Sequence, residues 1–238
     1  MPKTAIIVGA STGIGESLAR LLSKRGYRLG LTARGFDNLQ KIQENLETDV
    51  FIQQMDVTCS DRLEAAFSAL ANKMGPIDLV IISAGTGHRN PELSAELECN
   101  TIDTNVTGFT VIAGIAYRYF AKQGHGHIVG ISSIMALRGG AYAPAYNASK
   151  AYVSNYMQGL RVKALKEKSD IIVTDIRPGY VDTKMAEGAT FWMAPVNKAA
   201  TQIIKAIDQK KSYAYITKRW RLIAWVLKIM PDCLYQKF

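Results

Sequence analysis

Residues 4–22 read TAIIVGASTGIGESLARLL. A β-branched apolar run gives way at Gly9 to a turn of small residues, and from Gly13 the apolar positions take helical spacing. Gly9, Gly13 and Gly15 stand as G-x-x-x-G-x-G between the strand and the helix. Glycines there let the backbone turn tightly and approach a pyrophosphate, whose charge is met by the free amides of the helix N-terminus. Such a pattern is weak by itself. With a strand before it and a helix after it, it marks a dinucleotide-binding βα turn.

The alternation continues along the chain. Strand-like runs fall near 4–9, 27–33, 49–55, 77–83, 127–132, 170–176 and 212–216, and helical patterns at 14–25, 36–47, 60–74, 102–122, 145–168 and 196–209. Strands alternating with helices imply βαβ units with right-handed crossovers. The expected fold class is α/β: a doubly wound, mostly parallel seven-stranded sheet with helices on both faces. The 238 residues suit one such domain over 1–217, with a basic amphipathic tail over 218–238.

The first strand begins almost at once, without the apolar h-region and cleavage site of a secretory leader. Cys59, Cys99 and Cys233 are scattered without metal-ligand spacing, as reduced thiols would be. Both features predict a cytoplasmic protein. The net charge is +9, and from residue 205 onward eight basic and two acidic residues supply six of it. A basic tail predicts an anionic surface at one end of the molecule rather than a nucleic-acid partner.

Two short stretches speak to chemistry. The second strand ends in LTARGFD, so Arg34 stands where a carboxylate would hold a ribose 2′-hydroxyl. A guanidinium fork there matches a 2′-phosphate, which predicts NADP(H) over NAD(H). Asp37, placed as the cap of a helix starting near Asn38, is the alternative ribose partner. The second stretch, AYAPAYNASKAYVSNYM at 141–157, holds four tyrosines and one lysine. Of Tyr142, Tyr146, Tyr152 and Tyr156, Tyr146 alone has a lysine, Lys150, at i+4, one turn away on the same helix face. An ammonium there is expected to lower the phenol's pKa from about 10. Tyr146 is therefore the candidate acid/base, and Tyr142 and Tyr152 are expected to shape the cleft.

GASTGIG, Asn105 in DTNVTG, ISS at 131–133, YNASK at 146–150 and RPGYVDT at 177–183, in this order, closely resemble the short-chain dehydrogenase/reductase family. The resemblance is to its single-domain branch and covers about residues 3–216. It implies hydride transfer between a nicotinamide and a carbonyl or secondary alcohol. It also implies a catalytic set of Asn105, Ser133, Tyr146 and Lys150, with Ser133 bonded to the substrate oxygen and Asn105 supporting a water chain to the lysine. A helix-kink role for Asn105 stays open beside that one. The cofactor contacts implied are Gly9, Ser11, Thr12, Gly13, Ile14, Gly15, Arg34, Asp56 with Val57, Ala84 with Gly85, Tyr146, Lys150, Pro178, Gly179, Val181 and Thr183. Ser83 stands where the family has an asparagine. By the same resemblance, helices 102–122 and 145–168 pair subunits into a homo-oligomer.

Other residues are read plainly. His88, His125 and His127 lack metal-ligand partners in sequence and are placed in a solvated turn; Cys99 is placed in packing. After Thr183, KMAEGATFWMAPVNK offers Phe191, Trp192 and Met193 as an apolar lid, which predicts an apolar small-molecule substrate. In the tail, Lys218, Arg221 and Lys228 lie near one side of a helix, with Trp220, Ile223, Trp225, Leu227 and Met230 over much of the rest. Peripheral contact with an anionic membrane, a subunit contact and a cleft lid are the three roles open to it. The alternatives to an enzyme are a non-catalytic NADP(H) sensor and a peripheral membrane protein acting through the tail. A sensor would be expected to lose Tyr146 or Lys150.

Overall fold

Every residue of β1 (Thr4–Val8) is buried, and its side chains alternate between two cores. Ile6 and Val8 join Phe67 and Phe120 on one face of the sheet, while Ala5 and Ile7 join Leu18, Leu22 and Ile203 on the other. A strand with both faces covered has to be apolar throughout, which is why TAIIV carries no polar alternation. Burying each such isoleucine contributes about 1.5–3 kcal/mol. The computed structural model describes residues 2–186 and 191–237.

The remaining strands are β2 (Arg28–Ala33), β3 (Val50–Gln54), β4 (Leu79–Ile82), β5 (His125–Ile131), β6 (Asp170–Pro178) and β7 (Tyr213–Ile216). They form one seven-stranded sheet in the order β3-β2-β1-β4-β5-β6-β7, and each of the six pairings is parallel. The order reverses between β1 and β4, so a crevice opens at the carboxyl ends of those strands. Around the sheet run α1 (Gly13–Lys24), α2 (Phe36–Gln43), α3 (Ser60–Met74), α4 (Ala95–Ile102), α5 (Phe109–Gln123), α6 (Pro144–Lys166) and α7 (Val196–Asp208). The tail forms α8 (Trp220–Ile229) and a short α9 (Asp232–Tyr235).

Four expectations change. The helix read at 102–122 starts at Ala95, where Glu96 and Glu98 in the first turn favour the positive end of the helix dipole. It then widens into one π-turn, Asp103–Gly108, before α5. Asp37 is no cap: Gly35 holds that position and Asp37 lies inside the first turn of α2. His125 opens β5 instead of lying in a turn, and His127 sits within that strand, as the 127–132 run predicts, and not in a solvated turn; Gly126 between them leaves room for the Phe120 ring. His127 is buried and hydrogen-bonds Thr174 Oγ1 at 2.8 Å. Cys99 is exposed, not packed.

Candidate active site

A cavity of about 730 Å³ occupies the crevice. Its floor is the turn after β1. Gly9 adopts φ +84°, a left-handed conformation that favours glycine. A Cβ there would also stand 2.5 Å from Ala84 N, so the loop after β4 rests directly on the turn. Gly15 packs beneath the same turn, where a Cβ would meet Gly9 O at 2.0 Å. Ser11, Thr12, Gly13 and Ile14 face the cavity at the start of α1. This glycine cradle, opening onto a helix start, fits the pyrophosphate of a dinucleotide.

At one end of the cavity stand Arg34, exposed after β2, and Asp56 with Val57 after β3. Asp56 Oδ1 accepts from Thr58 N at 3.0 Å and from Thr58 Oγ1 at 2.8 Å, which fixes that turn locally. Arg34 is positioned by its own carbonyl, which accepts from Gln54 Nε2 at 2.8 Å. Asp37 does not line the cavity; Arg34 does.

The other end gathers the polar set. Ser133 follows β5 and caps the 3₁₀ turn Ile134–Leu137, its Oγ accepting from Met135 N at 3.1 Å. Pro144 opens α6 at the helix start, where its missing N–H costs nothing. The first turn of α6 carries Tyr146 and the next carries Lys150. Lys150 is buried, and its Nζ donates to Ile131 O at 3.1 Å. Burial lowers its pKa to about 8, against the upward pull of the Asp175 carboxylate. Burial also raises the Tyr146 phenol; the nearby Ser133 hydroxyl opposes that shift, and neighbouring Tyr180 adds to it. The expected depression of Tyr146 by Lys150 is therefore corrected: desolvation is the largest effect at this phenol.

All the expected site residues line the cavity except Gly15 and Asn105. Asn105 sits behind the wall in the π-turn. Its Oδ1 accepts from Thr86 N at 2.8 Å, and its Nδ2 donates to Thr86 O at 2.7 Å and Ser149 Oγ at 3.0 Å. The side chain thus ties the loop after β4 to α6 rather than satisfying its own helix backbone. Gly85 leaves room for Lys150 and Asn105, since a Cβ there would lie 3.2 Å from Lys150 Nζ and 3.3 Å from Asn105 Oδ1. Pro178, Gly179, Val181 and Thr183 line the wall after β6.

Several placements correct the sequence reading. Tyr142 is exposed under the Arg89 guanidinium, and Tyr152 stacks on Tyr156 while its hydroxyl meets Thr110 Oγ1; neither lines the cavity. Phe191 and Trp192 stack on each other and meet Trp220 edge-on instead of lining the cavity; among the described residues of the lid run, Met185 and Ala186 line it. Residues 187–190 of the lid run lie outside the described residues.

Three residues near the site, Gly87, Tyr180 and Asp175, were passed over, and a fourth, Trp220, was placed only in the tail. Gly87 makes space for the Tyr146 ring, because a Cβ there would come 2.6 Å from its Cδ2. Tyr180 lines the cavity beside Tyr146. Trp220 of α8 lies on Gly179, where a Cβ would sit 2.0 Å from the indole Cε2. Asp175, wholly buried in β6, accepts from Ser132 Oγ at 2.5 Å, Ser154 Oγ at 2.8 Å and Arg177 Nε at 2.6 Å. Its signal was available: one carboxylate inside the apolar run IIVTDI, with an arginine at i+2 on the same strand face.

The family model of the short chain dehydrogenases matches residues 3–194. The chain belongs to this family. As a short chain dehydrogenase it is an oxidoreductase. It is 34% identical to an uncharacterized oxidoreductase of Myxococcus xanthus, over 98% of this chain and 94% of that one. Among solved structures, it superposes with TM-score 0.86 on a short chain dehydrogenase from Burkholderia cenocepacia in complex with NADP, at 22% identity over 99% and 97% of the two chains. A short-chain dehydrogenase from Sphingobium yanoikuyae in complex with NADPH gives TM-score 0.81 at 23% identity, over 100% and 96%. At such identities the structures bear on the fold alone, which this short chain dehydrogenase shares.

Proposed function

We propose that the protein is an NADP(H)-dependent oxidoreductase that interconverts a carbonyl and a secondary alcohol on an apolar small molecule, with Tyr146 as the acid/base. The observation that carries this reading is the convergence of Ser133, Tyr146 and Lys150 on one wall of the cavity whose floor is the glycine turn. The residues that would hold the dinucleotide are those of the Gly9–Gly15 turn, Asp56 with Val57, Ala84 with Gly85, and the 178–183 segment. Arg34 would take the 2′-phosphate, since Arg34 lines the cavity and Asp37 does not. When bound, the nicotinamide supplies or accepts the hydride.

The chain's own residues handle the oxygen. Ser133 donates a hydrogen bond to the substrate oxygen and polarises it. Tyr146 delivers the proton to that oxygen. Its raised pKa keeps the phenol protonated at neutral pH, which suits it as a donor and favours reduction. Lys150, cationic below about pH 8, stabilises the phenolate that forms. Asn105 holds the Thr86 loop against α6 and so keeps the proton path beside Lys150 in register. Ile134, Met135 and Met185 give the substrate end an apolar wall.

The reading extends to a cytoplasmic protein that assembles through α5 and α6 and touches a membrane peripherally through its tail. Steady-state oxidation of NADPH against a panel of aliphatic and aromatic ketones tests the activity. Turnover with NADPH is expected. Absence of turnover across the panel, in a protein that binds NADPH, favours the non-catalytic sensor.

A further inference from the structure

The tail helix α8 has two apolar faces, and the fold uses one. Trp220 and Ala224 are buried against Ile134, with Ile223 and Leu227 packed at the edge of that cluster. Arg138 closes the helix end, donating to Leu227 O at 2.9 Å, to Met230 O and to Asp232 Oδ1. The helix is therefore fixed to the domain. On its opposite side Leu222, Trp225 and Ile229, at i, i+3 and i+7, are 61%, 60% and 58% exposed. Leu234 on α9 is 49% exposed as well.

The charges around this stripe have one sign. Lys218, Arg221 and Lys228 are exposed, none is in an ion pair among the described residues, and α8 contains no acidic residue. Asp232 beyond it is held by Arg138. A helix that presents leucine, isoleucine and tryptophan flanked by lysine and arginine fits the boundary between anionic headgroups and acyl chains. No described helix is long and apolar enough to cross a membrane, so the contact is a surface one. A second copy of the chain fits less well, because a two-fold contact through this stripe brings Arg221 and Lys228 against cations.

We propose that the outward face of α8 seats the protein on an anionic lipid bilayer, with the substrate end of the cavity turned toward the lipid. The inward face of the same helix supplies the second half of the argument. Trp220 lies on Gly179 and meets Tyr180 edge-on at 5.6 Å, and both residues line the cavity. Only the thickness of one helix, about 10 Å, separates the stripe from that wall. Resting on the hydride-transfer reading, this assigns the substrate to carbonyls or alcohols dissolved in the bilayer.

Flotation of the full chain with phosphatidylcholine vesicles, with and without about a quarter phosphatidylglycerol, tests the seating directly. The protein is expected to float with the anionic vesicles and to be released near 1 M salt, where the Debye length falls to about 3 Å. Two variants carry the assignment: Leu222→Ser/Trp225→Ser/Ile229→Ser on the stripe, and Arg221→Gln/Lys228→Gln beside it. Each is expected to lower the bound fraction at least about tenfold with an unchanged melting temperature, since all five side chains are outside the core. Wild-type protein that stays at the bottom with both vesicles overturns the proposal, as does undiminished flotation of a folded variant. Sedimentation equilibrium adds one more overturning result: a smaller assembly for the stripe variant assigns the stripe to a contact between copies. Flotation needs no turnover, so its failure leaves the hydride reading standing, and failure of every ketone leaves the flotation result standing.

Discussion

Lys150 Nζ stands 5.7 Å from the centroid of the Tyr146 ring and donates its hydrogen bond to Ile131 O, on the strand rather than on the phenol. The two side chains are therefore neighbours with no hydrogen bond between them, and the stabilisation of a phenolate proposed for the lysine is one of charge. That charge is held in a buried site where its pKa falls to about 8. The cation is present below this pH and lost above it.

Carbonyl reduction should consequently weaken as pH rises through about 8, because kcat/KM reports the free protein's ionisations. A pH profile of kcat/KM is expected to show that descending limb, and the residual activity of Lys150→Met is expected to lack it. A profile flat from neutrality to pH 9 in the wild type would contradict the role given to Lys150.

Asp175 should matter twice. It is wholly buried with the half-buried Arg177 as its cationic partner, so Asp175→Ala removes that guanidinium's carboxylate, at a cost of at most about 3–5 kcal/mol in urea unfolding. Asp175→Asn keeps the shape and removes the charge that raises the Lys150 pKa. The limb near pH 8 is expected to move to lower pH in that variant. An unmoved limb would mean that Asp175 serves stability alone.

His127 predicts an acid sensitivity of the fold that is separate from the site. Burial, reinforced by Lys210, lowers its pKa to about 4 from 6.5. The unfolded chain thus binds a proton in this interval that the folded one refuses. The stability is complete above pH 6.5 and is lost as pH falls from there through about 4, to a limit of about 3 kcal/mol. Denaturant midpoints at pH 7 and pH 5 are expected to differ less in His127→Gln than in the wild type. Equal differences would place the acid sensitivity elsewhere.

Arg34 tests the choice of cofactor. Arg34→Ala is expected to raise the KM for NADPH about 10–100-fold through loss of a charge-assisted phosphate contact, with little change for NADH. A parallel loss with both cofactors would show that Arg34 does not read the 2′-phosphate.

Much of this was legible in sequence because it depends on short spacing. The glycine turn is encoded within residues 9–15, and Tyr146 and Lys150 lie one helical turn apart, so local geometry suffices to place them. What was not legible depends on contacts between distant segments. The hydrogen bond of Asp175 to Ser132 follows from the register of β5 against β6, and that of Asn105 to Thr86 from a π-turn that no apolar periodicity announces. The lid aromatics were misplaced for the same reason: their partner, Trp220, comes from the far end of the chain. Tyr142 and Tyr152 share a stretch with Tyr146 but not a direction, since helical rotation turns Tyr152 toward Thr110 on α5.

The central claim is that the Tyr146 hydroxyl delivers the proton, and Tyr146→Phe tests it most directly. NADPH binding, followed by fluorescence titration, and ketone reduction, followed at saturating NADPH, should be measured on the same preparation. The account predicts a dissociation constant within about twofold of the wild type and a kcat reduced by about 10²–10⁴-fold, the usual worth of a positioned acid. A variant that binds NADPH normally and keeps its kcat within about tenfold of the wild type would contradict it.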